Sequence, residues 1–206
     1  AEKPYYVRVH HLFCTGNCHG FYKWGSTNAY LEDDAGKPVY DWTFVDKIFD
    51  AMLETGNKPF VELGFMPRDL IDPAHSLQIG IRGSLYDASV AREAAEAGLL
   101  VLTAPEMHRR GLDWVIETVR QRVGERLAYL TFDIDFVDPA SAPGTGTPVV
   151  GGFNSAQSLE LVRGLAGLNF IGYDLVEVLP SYDPAGITAL LAAGIVYEYM
   201  SLIAFR

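Results

Sequence analysis

Two carboxylates, Asp133 and Asp135, sit one residue apart at the end of an apolar run from Leu127 to Phe132. They open the stretch TFDIDFVDPASAPGTGTPVVGG, residues 131–152. On an extended strand, residues two apart point to the same face, so both carboxylates are expected to converge on one cation. A third acid, Asp138, and a Gly/Pro-rich loop follow at once, as where a strand ends at a site. Hard oxygen donors of this kind suit Mg, Mn or Ca rather than a soft metal. A bare Asp-x-Asp is more often a solvated strand end, and the specificity lies in the whole stretch.

His10, His11, Cys14, Cys18 and His19 form a second cluster. Its donors suit Zn, and the imidazoles alone could help bind Mn, but the spacing matches no C-x2-C zinc motif. The plainer expectation is reduced thiols and hydrogen-bonded imidazoles. A Cys14–Cys18 disulfide is disfavoured by the compartment inferred below. Gly144–Thr145–Gly146–Thr147 lacks the lysine of a phosphate loop. Trp24 and Trp42 could form a sugar platform, although aromatic residues are more often packing. Asp174 reads equally well as a carboxylate behind the site or as a satisfied polar strand residue.

The elements that must position these groups alternate. Strands are expected at Tyr5–His10, Pro59–Phe65, Leu77–Arg82, Leu99–Thr103, Leu127–Asp133 and Asn169–Val178, mostly continuous apolar runs of the kind found in buried parallel sheets. Helices are expected between them, at Phe44–Thr55, Ser89–Ala97, Leu112–Val123, Ser155–Leu165 and Pro184–Phe205. The first and third carry apolar stripes that stop at Gly56 and Gly124. Leu12–Tyr40 is too long for a plain connector and predicts a lid or a local hairpin. The expected class is α/β, a mostly parallel sheet of about six strands with helices on both faces. Right-handed crossovers place the strand C-termini on one edge, which would bring His10 and His11 to the edge that carries Asp133 and Asp135.

The chain has 206 residues, 49% of them hydrophobic, enough for one sizeable core and one or two domains. Its net charge of −10 argues against nucleic acid or an anionic membrane as partner and suits a cationic ligand. Two cysteines and the lack of a signal-like segment at Ala1–Tyr6 predict a cytoplasmic chain. Gly186–Phe205 is about as long as a membrane span but carries Glu198 and two glycines, and a core helix is the more economical reading.

HSLQIGIRG (75–83), LAYLTFDIDFVDPASAPGTGTPVVGG (127–152), LVRGLAGLNFIGYDLVEVLPSYD (161–183) and ITALLAA (187–193) resemble the C-terminal half of an agmatinase or guanidinobutyrase. These are manganese ureohydrolases of the arginase family, and the resemblance covers roughly residues 70–206. It implies that Asp133 and Asp135 are metal ligands and that Glu177 orients the substrate guanidinium. The family's Gly-Gly-Asp-His and Asp-Ala-His-x-Asp segments, which supply its other ligands, have no counterpart here. YYVRVHHLFCTGNCHGFYKW (5–24) and GKPVYDWTFVDKIFDAMLETGNKPFVELGFMP (36–67) resemble a strand–helix–strand portion of the β-xylosidase barrels of glycoside hydrolase family 39. Glu62 is not in that family's Asn-Glu context, and the nucleophile strand is absent.

The resemblances together predict a chimera, engineered or library-selected, with residues 1–69 and 70–206 meeting near Asp69–Asp72. The two parts are expected to share one merged core and to self-associate through exposed apolar surface. The leading expectation is a folded protein without an intact active site, its Mn2+ affinity weak or absent. The alternative is a manganese-dependent ureohydrolase that releases urea from a guanidino compound. Glycoside hydrolysis is disfavoured because its two carboxylates are missing.

Overall fold

The computed structural model describes residues 6–9, 27–61, 71–84 and 89–204. The chain divides into two compact units, Ala1–Asp72 and Pro73–Arg206.

In the first unit, β1 (Tyr6–Val9) pairs in parallel with β4 (Lys58–Val61). Strands β2 (Tyr30–Glu32) and β3 (Pro38–Tyr40) form an antiparallel hairpin, the local hairpin expected within Leu12–Tyr40. Helix α1 (Thr43–Glu54) buries Val45, with Ile48, Phe49 and Met52 packed around it and Ala29. These are the stripe residues spaced to share one helix face.

The second unit repeats a strand–helix rhythm. Its elements are β5 (Leu77–Ile81), α2 (Ser89–Glu96), β6 (Leu100–Thr103), α3 (Ala104–Arg110), α4 (Leu112–Val123), β7 (Ala128–Asp133), α5 (Ser155–Gly164), β8 (Phe170–Val176) and α6 (Ile187–Ala204). Strand β5 pairs in parallel with β6, and β7 with β8. The architecture is therefore α/β, with pieces of parallel sheet and accompanying helices. Among the described residues the hydrogen-bonded ladders are two-stranded.

Helix α3 is absent from the expectations above. Pro105 near its first turn is a start signal, because its fixed φ suits the helix and its missing N–H would be unpaired there anyway. Helix α4 buries Val115, Val119 and Val123, as its stripe requires. Helix α5 opens on a capping box. The Asn154 side chain accepts from the Gln157 N–H at 2.9 Å, and Gln157 Oε1 accepts from the Asn154 N–H at 3.0 Å.

One core runs through the unit, with Met107, Val115, Ile134, Phe153 and Ile195 fully covered. An aromatic column lies across it. Phe132 meets Phe136 edge-on at 5.4 Å, Phe136 stacks on Phe153 at 4.8 Å, and the His108 ring stacks on Phe153 at 4.3 Å. Gly80 lets β5 pass against this column, since a Cβ there would lie 2.3 Å from the Phe136 ring, and its φ of +84° is one that side chains resist.

Strand β8 is irregular. Phe170 and Tyr173, three residues apart, both pack on the core, which a period of two forbids. A register step absorbs the extra residue: Ala128 faces Phe170, but Tyr129 faces Gly172. Ile171 is left out of the pairing and 65% exposed.

Truncating Ile134 to Ala should lower unfolding free energy by about 2–5 kcal/mol, because the side chain is fully buried and the site cannot wholly collapse. Asn154→Ala should cost about 1 kcal/mol through loss of the cap, and Val150→Ala, at an exposed position, less than about 0.5 kcal/mol. Urea midpoints with unchanged slopes measure all three. Equal losses at Ile134 and Val150 would contradict this core.

Candidate active site

The carboxylates collect where β7 and β8 end. Strand β7 finishes at Asp133, whose Cα pairs with Val176 of β8, the residue before Glu177. The expectation that Asp133 and Asp135 share a strand face needs correction. The chain leaves the strand at Asp133 and makes a short 3-10 turn, Ile134–Phe136, with Asp133 as its cap. Asp133 Oδ1 accepts the Asp135 N–H at 3.0 Å. The two acids approach through this turn, held by burial of Ile134 and Phe136 on either side of Asp135. Both remain half-buried.

Glu177 follows with φ +66°, one of the non-glycine residues in the left-handed region. That conformation costs roughly 1–2 kcal/mol for an L-residue and tends to occur where a side chain is aimed for function. It takes Glu177 off the line of β8. An isolated bridge between Thr145 and Val178, with the Leu179 N–H on the Gly144 carbonyl at 2.8 Å, brings the Gly/Thr loop alongside. From that loop Thr147 Oγ1 donates to Asp135 Oδ2 at 3.1 Å.

Asp138, the third acid of the motif, is a bracket for the loop. Its Oδ2 accepts the N–H groups of Gly151 and Gly152 at 2.8 and 3.1 Å, and Oδ1 accepts that of Ala140 at 3.0 Å. The Ala140 bond is the largest cause holding its carboxyl below the usual range.

Two further residues escape sequence reasoning. The Arg82 guanidinium donates to the carbonyls of Asp135 (2.5 Å) and Val149 (2.8 Å) through Nη2 and of Gly80 (3.2 Å) through Nη1. It ties the end of β5 to the acidic turn and to the loop. His108 Nε2 lies 3.2 and 3.1 Å from the carbonyl oxygens of Gly151 and Gly152, so that nitrogen carries the proton it donates. Apart from Gly80, two residues from Arg82, the groups they brace lie more than forty residues away, and local spacing carries no trace of that. His10, His11, Cys14, Cys18 and His19 lie outside the described residues.

Asp133 is pushed up to about 6. Burial is the main cause, opposed by the Asp135 N–H, and the charges of Asp135 and Glu177 raise it further. Negative charge is thus concentrated and only partly solvated, an environment a cation relieves. The donors are hard oxygens of the type Mn or Mg takes. Among the described residues no group of three or more His, Cys, Asp or Glu is placed to hold a metal, so Asp133 and Asp135 amount to part of a coordination shell.

The raised value fixes a sign. The native state holds the Asp133 proton more tightly than the unfolded chain, so the associated stability is complete below pH 3.8 and lost as pH rises through about 6. Asp133→Asn keeps the acceptor for Asp135 and removes the charge. Its stability relative to the parent should rise by about 1–2 kcal/mol between pH 4 and 7, a range discounted for the partial exposure of the group. Urea midpoints across this range test it, and parallel curves would exclude the charge clustering.

Residues 34–201 match the Arginase family. An agmatinase of Escherichia coli O7:K1 is 51% identical over 137 residues, which is 66% of this chain and 42% of that protein. The proclavaminate amidino hydrolase of Streptomyces clavuligerus superposes with a TM-score of 0.61 at 44% identity, covering 65% of this chain and 44% of that one. Formimidoylglutamase of Bacillus subtilis covers 97% of this chain and 53% of its own at a TM-score of 0.62; at 20% identity it bears on fold alone. The chain thus spans less than half the length of the agmatinase it matches. The family match starts at residue 34 and runs through the seam expected near Asp69–Asp72. It supports arginase-family homology across that boundary, and neither the chimera nor the glycosidase resemblance of residues 1–69 gains support from it. A match that spans most of the sequence, together with half-identical relatives, places this chain in the Arginase family.

Proposed function

We propose that this chain acts as an agmatinase-like ureohydrolase, in which water cleaves a guanidino C–N bond to give urea and a primary amine. The observation that carries the reading is the meeting of Asp133, Asp135 and Glu177 at the ends of β7 and β8, with Asp133 shifted to about 6 by burial and its acidic neighbours. In this reading Asp133 and Asp135 hold Mn2+ and Glu177 receives the substrate guanidinium, a planar cation matched to a carboxylate. When bound, manganese supplies Lewis-acid activation of water near neutral pH. Above about pH 6 Asp133 is ionised and ready to bind a cation. Thr147 fixes one oxygen of Asp135, and Arg82 fixes its backbone, so the acid faces the site in one orientation. Two carboxylates leave shell positions to be filled by further ligands and water.

The match to agmatinases supports the substrate class, and the negative charge of the chain suits a cationic substrate. A soluble, cytoplasmic setting is part of this reading, and the net charge of −10 argues against a nucleic-acid partner. Exposed Leu190, Tyr197 and Met200 on α6 support self-association.

Urea release from agmatine, arginine and 4-guanidinobutyrate, with and without Mn2+, tests the proposal. Agmatine with Mn2+ should give the largest rate, and a chelator should abolish it. Asp133→Ala should reduce the rate at least about 100-fold, whereas Glu177→Gln should act strongly through KM. Mn2+ at about 100 times its Kd should raise stability by about 2.7 kcal/mol in the parent and not in Asp133→Ala. Metal stabilisation without urea would leave a binding protein, and the absence of both would overturn the reading.

A further inference from the structure

Away from the acidic turn, β8 and α6 flank an open, concave cavity of about 430 Å³ lined by Asp174, Leu175, Val196, Tyr199, Met200 and Ile203 among others. Its polar groups are incompletely used. Tyr129 donates its hydroxyl to Asp174 Oδ2 at 2.9 Å, which is possible because Gly172 leaves room for the ring: a Cβ there would lie 2.7 Å from it. Asp174 Oδ1 is buried and has no hydrogen-bond partner, and neither has the hydroxyl of Tyr199, a residue only 3% exposed. Tyr199 stacks on Tyr173 at 4.7 Å, and burial together with the Asp174 charge pushes its hydroxyl well above the ordinary tyrosine range. A buried acceptor left unmade costs on the order of 1–3 kcal/mol. Such groups in a concave apolar site point to a ligand that satisfies them.

We propose that this cavity binds a primary alkylammonium ion, at a site distinct from the acidic turn. An ionised carboxylate oxygen only accepts, so the ligand must donate. A cation is favoured by the Asp174 charge and by the stacked tyrosine faces. The Oδ2 atom is already engaged by Tyr129, which leaves one carboxylate oxygen and one hydroxyl. A guanidinium fork needs both oxygens of a carboxylate, whereas an ammonium with three independent donors fits one oxygen and a neighbouring hydroxyl. Leu175, Val196, Met200 and Ile203 then offer an apolar wall to the alkyl chain, with Met200 and Ile203 half-open to solvent at its mouth.

The test uses the full chain without metal or guanidino substrate, so its result does not depend on the ureohydrolase reading. With methionine methyls labelled for NMR, n-butylammonium chloride is titrated and Met200 is followed, with Met52 and Met107 as internal references. Met200 should shift saturably with a Kd of about 1 mM, in keeping with a ligand of so few heavy atoms. Binding should weaken at least about tenfold in Asp174→Asn and about threefold in Tyr199→Phe, which keeps the ring and its stacking. n-Butylguanidinium should bind more weakly than n-butylammonium, and n-butanol should not saturate. An unsaturable Met200 response, equal binding of butanol, tighter binding of the guanidinium, or unchanged affinity in both variants would each overturn the assignment.

Discussion

The parallel pairing of β7 with β8 is the constraint on which the site depends. Setting Asp133 opposite Val176 brings the exits of both strands to one edge, so the turn after β7 and the strained residue after β8 meet. A slip of one residue would turn every side chain of β8 to the other face. The register is protected at its start, where Ile171 is left unpaired so that Phe170 and Tyr173 can both enter the core. The irregular start of β8 and the placement of Glu177 are therefore linked through six paired positions.

Collecting carboxylates opposes folding, and the surrounding structure offsets the repulsion without neutralising it. Arg82 is the nearby cation, yet its donors go to the backbone carbonyls of Gly80, Asp135 and Val149. His108 likewise spends its proton on the carbonyls of Gly151 and Gly152. Both residues brace main chain, which leaves the Asp133 and Asp135 charges for something else to compensate. An ion pair with Arg82 would have pulled Asp133 down. Its shift is upward, to about 6. On the proposed reading, this is the electrostatic pattern of a site that takes a cation.

The legible part of this fold is the part written in local spacing. The stripe of α4 and its boundaries, the limits of β7 and the presence of a hairpin before Tyr40 follow from periodicity and turn residues. Asp133, Asp135 and Glu177 were accessible through their motif. The turn at Asp133 was not, because it depends on whether a side chain captures a main-chain N–H two residues on, and the apolar pattern is the same either way. Arg82 and His108 act across 67 and 43 residues, and nothing near them in sequence announces their partners. The glycosidase resemblance of residues 1–69 gains no support, for a related reason. Short strand–helix–strand pieces look alike in many α/β proteins, and a match that runs on through them from residue 34 carries more weight than a local likeness.

Helix α6 shows how contacts decide what composition leaves open. Its 18 residues are apolar enough to cross a bilayer, and only 28% of that window is buried. Yet both ends are tied to the α/β unit by polar groups. Asp183 accepts the N–H groups of Thr188 and Ala189 at 3.1 and 2.9 Å, and the Thr188 hydroxyl accepts the Gly144 N–H at 2.8 Å. Toward the other end Glu198 meets Arg163 of α5 at 2.6 Å. Between these ties Leu191, Ala192 and Ile195, and just beyond them Tyr199, enter the core that also holds Phe132 and Phe153. A bilayer span would have to give up the capping carboxylate, the loop contact and the ion pair together, leaving polar groups in hydrocarbon. The apolar length of α6 is better explained by its position. It closes one side of the core, and the loop it holds through Thr188 is the one that carries Thr147 to Asp135.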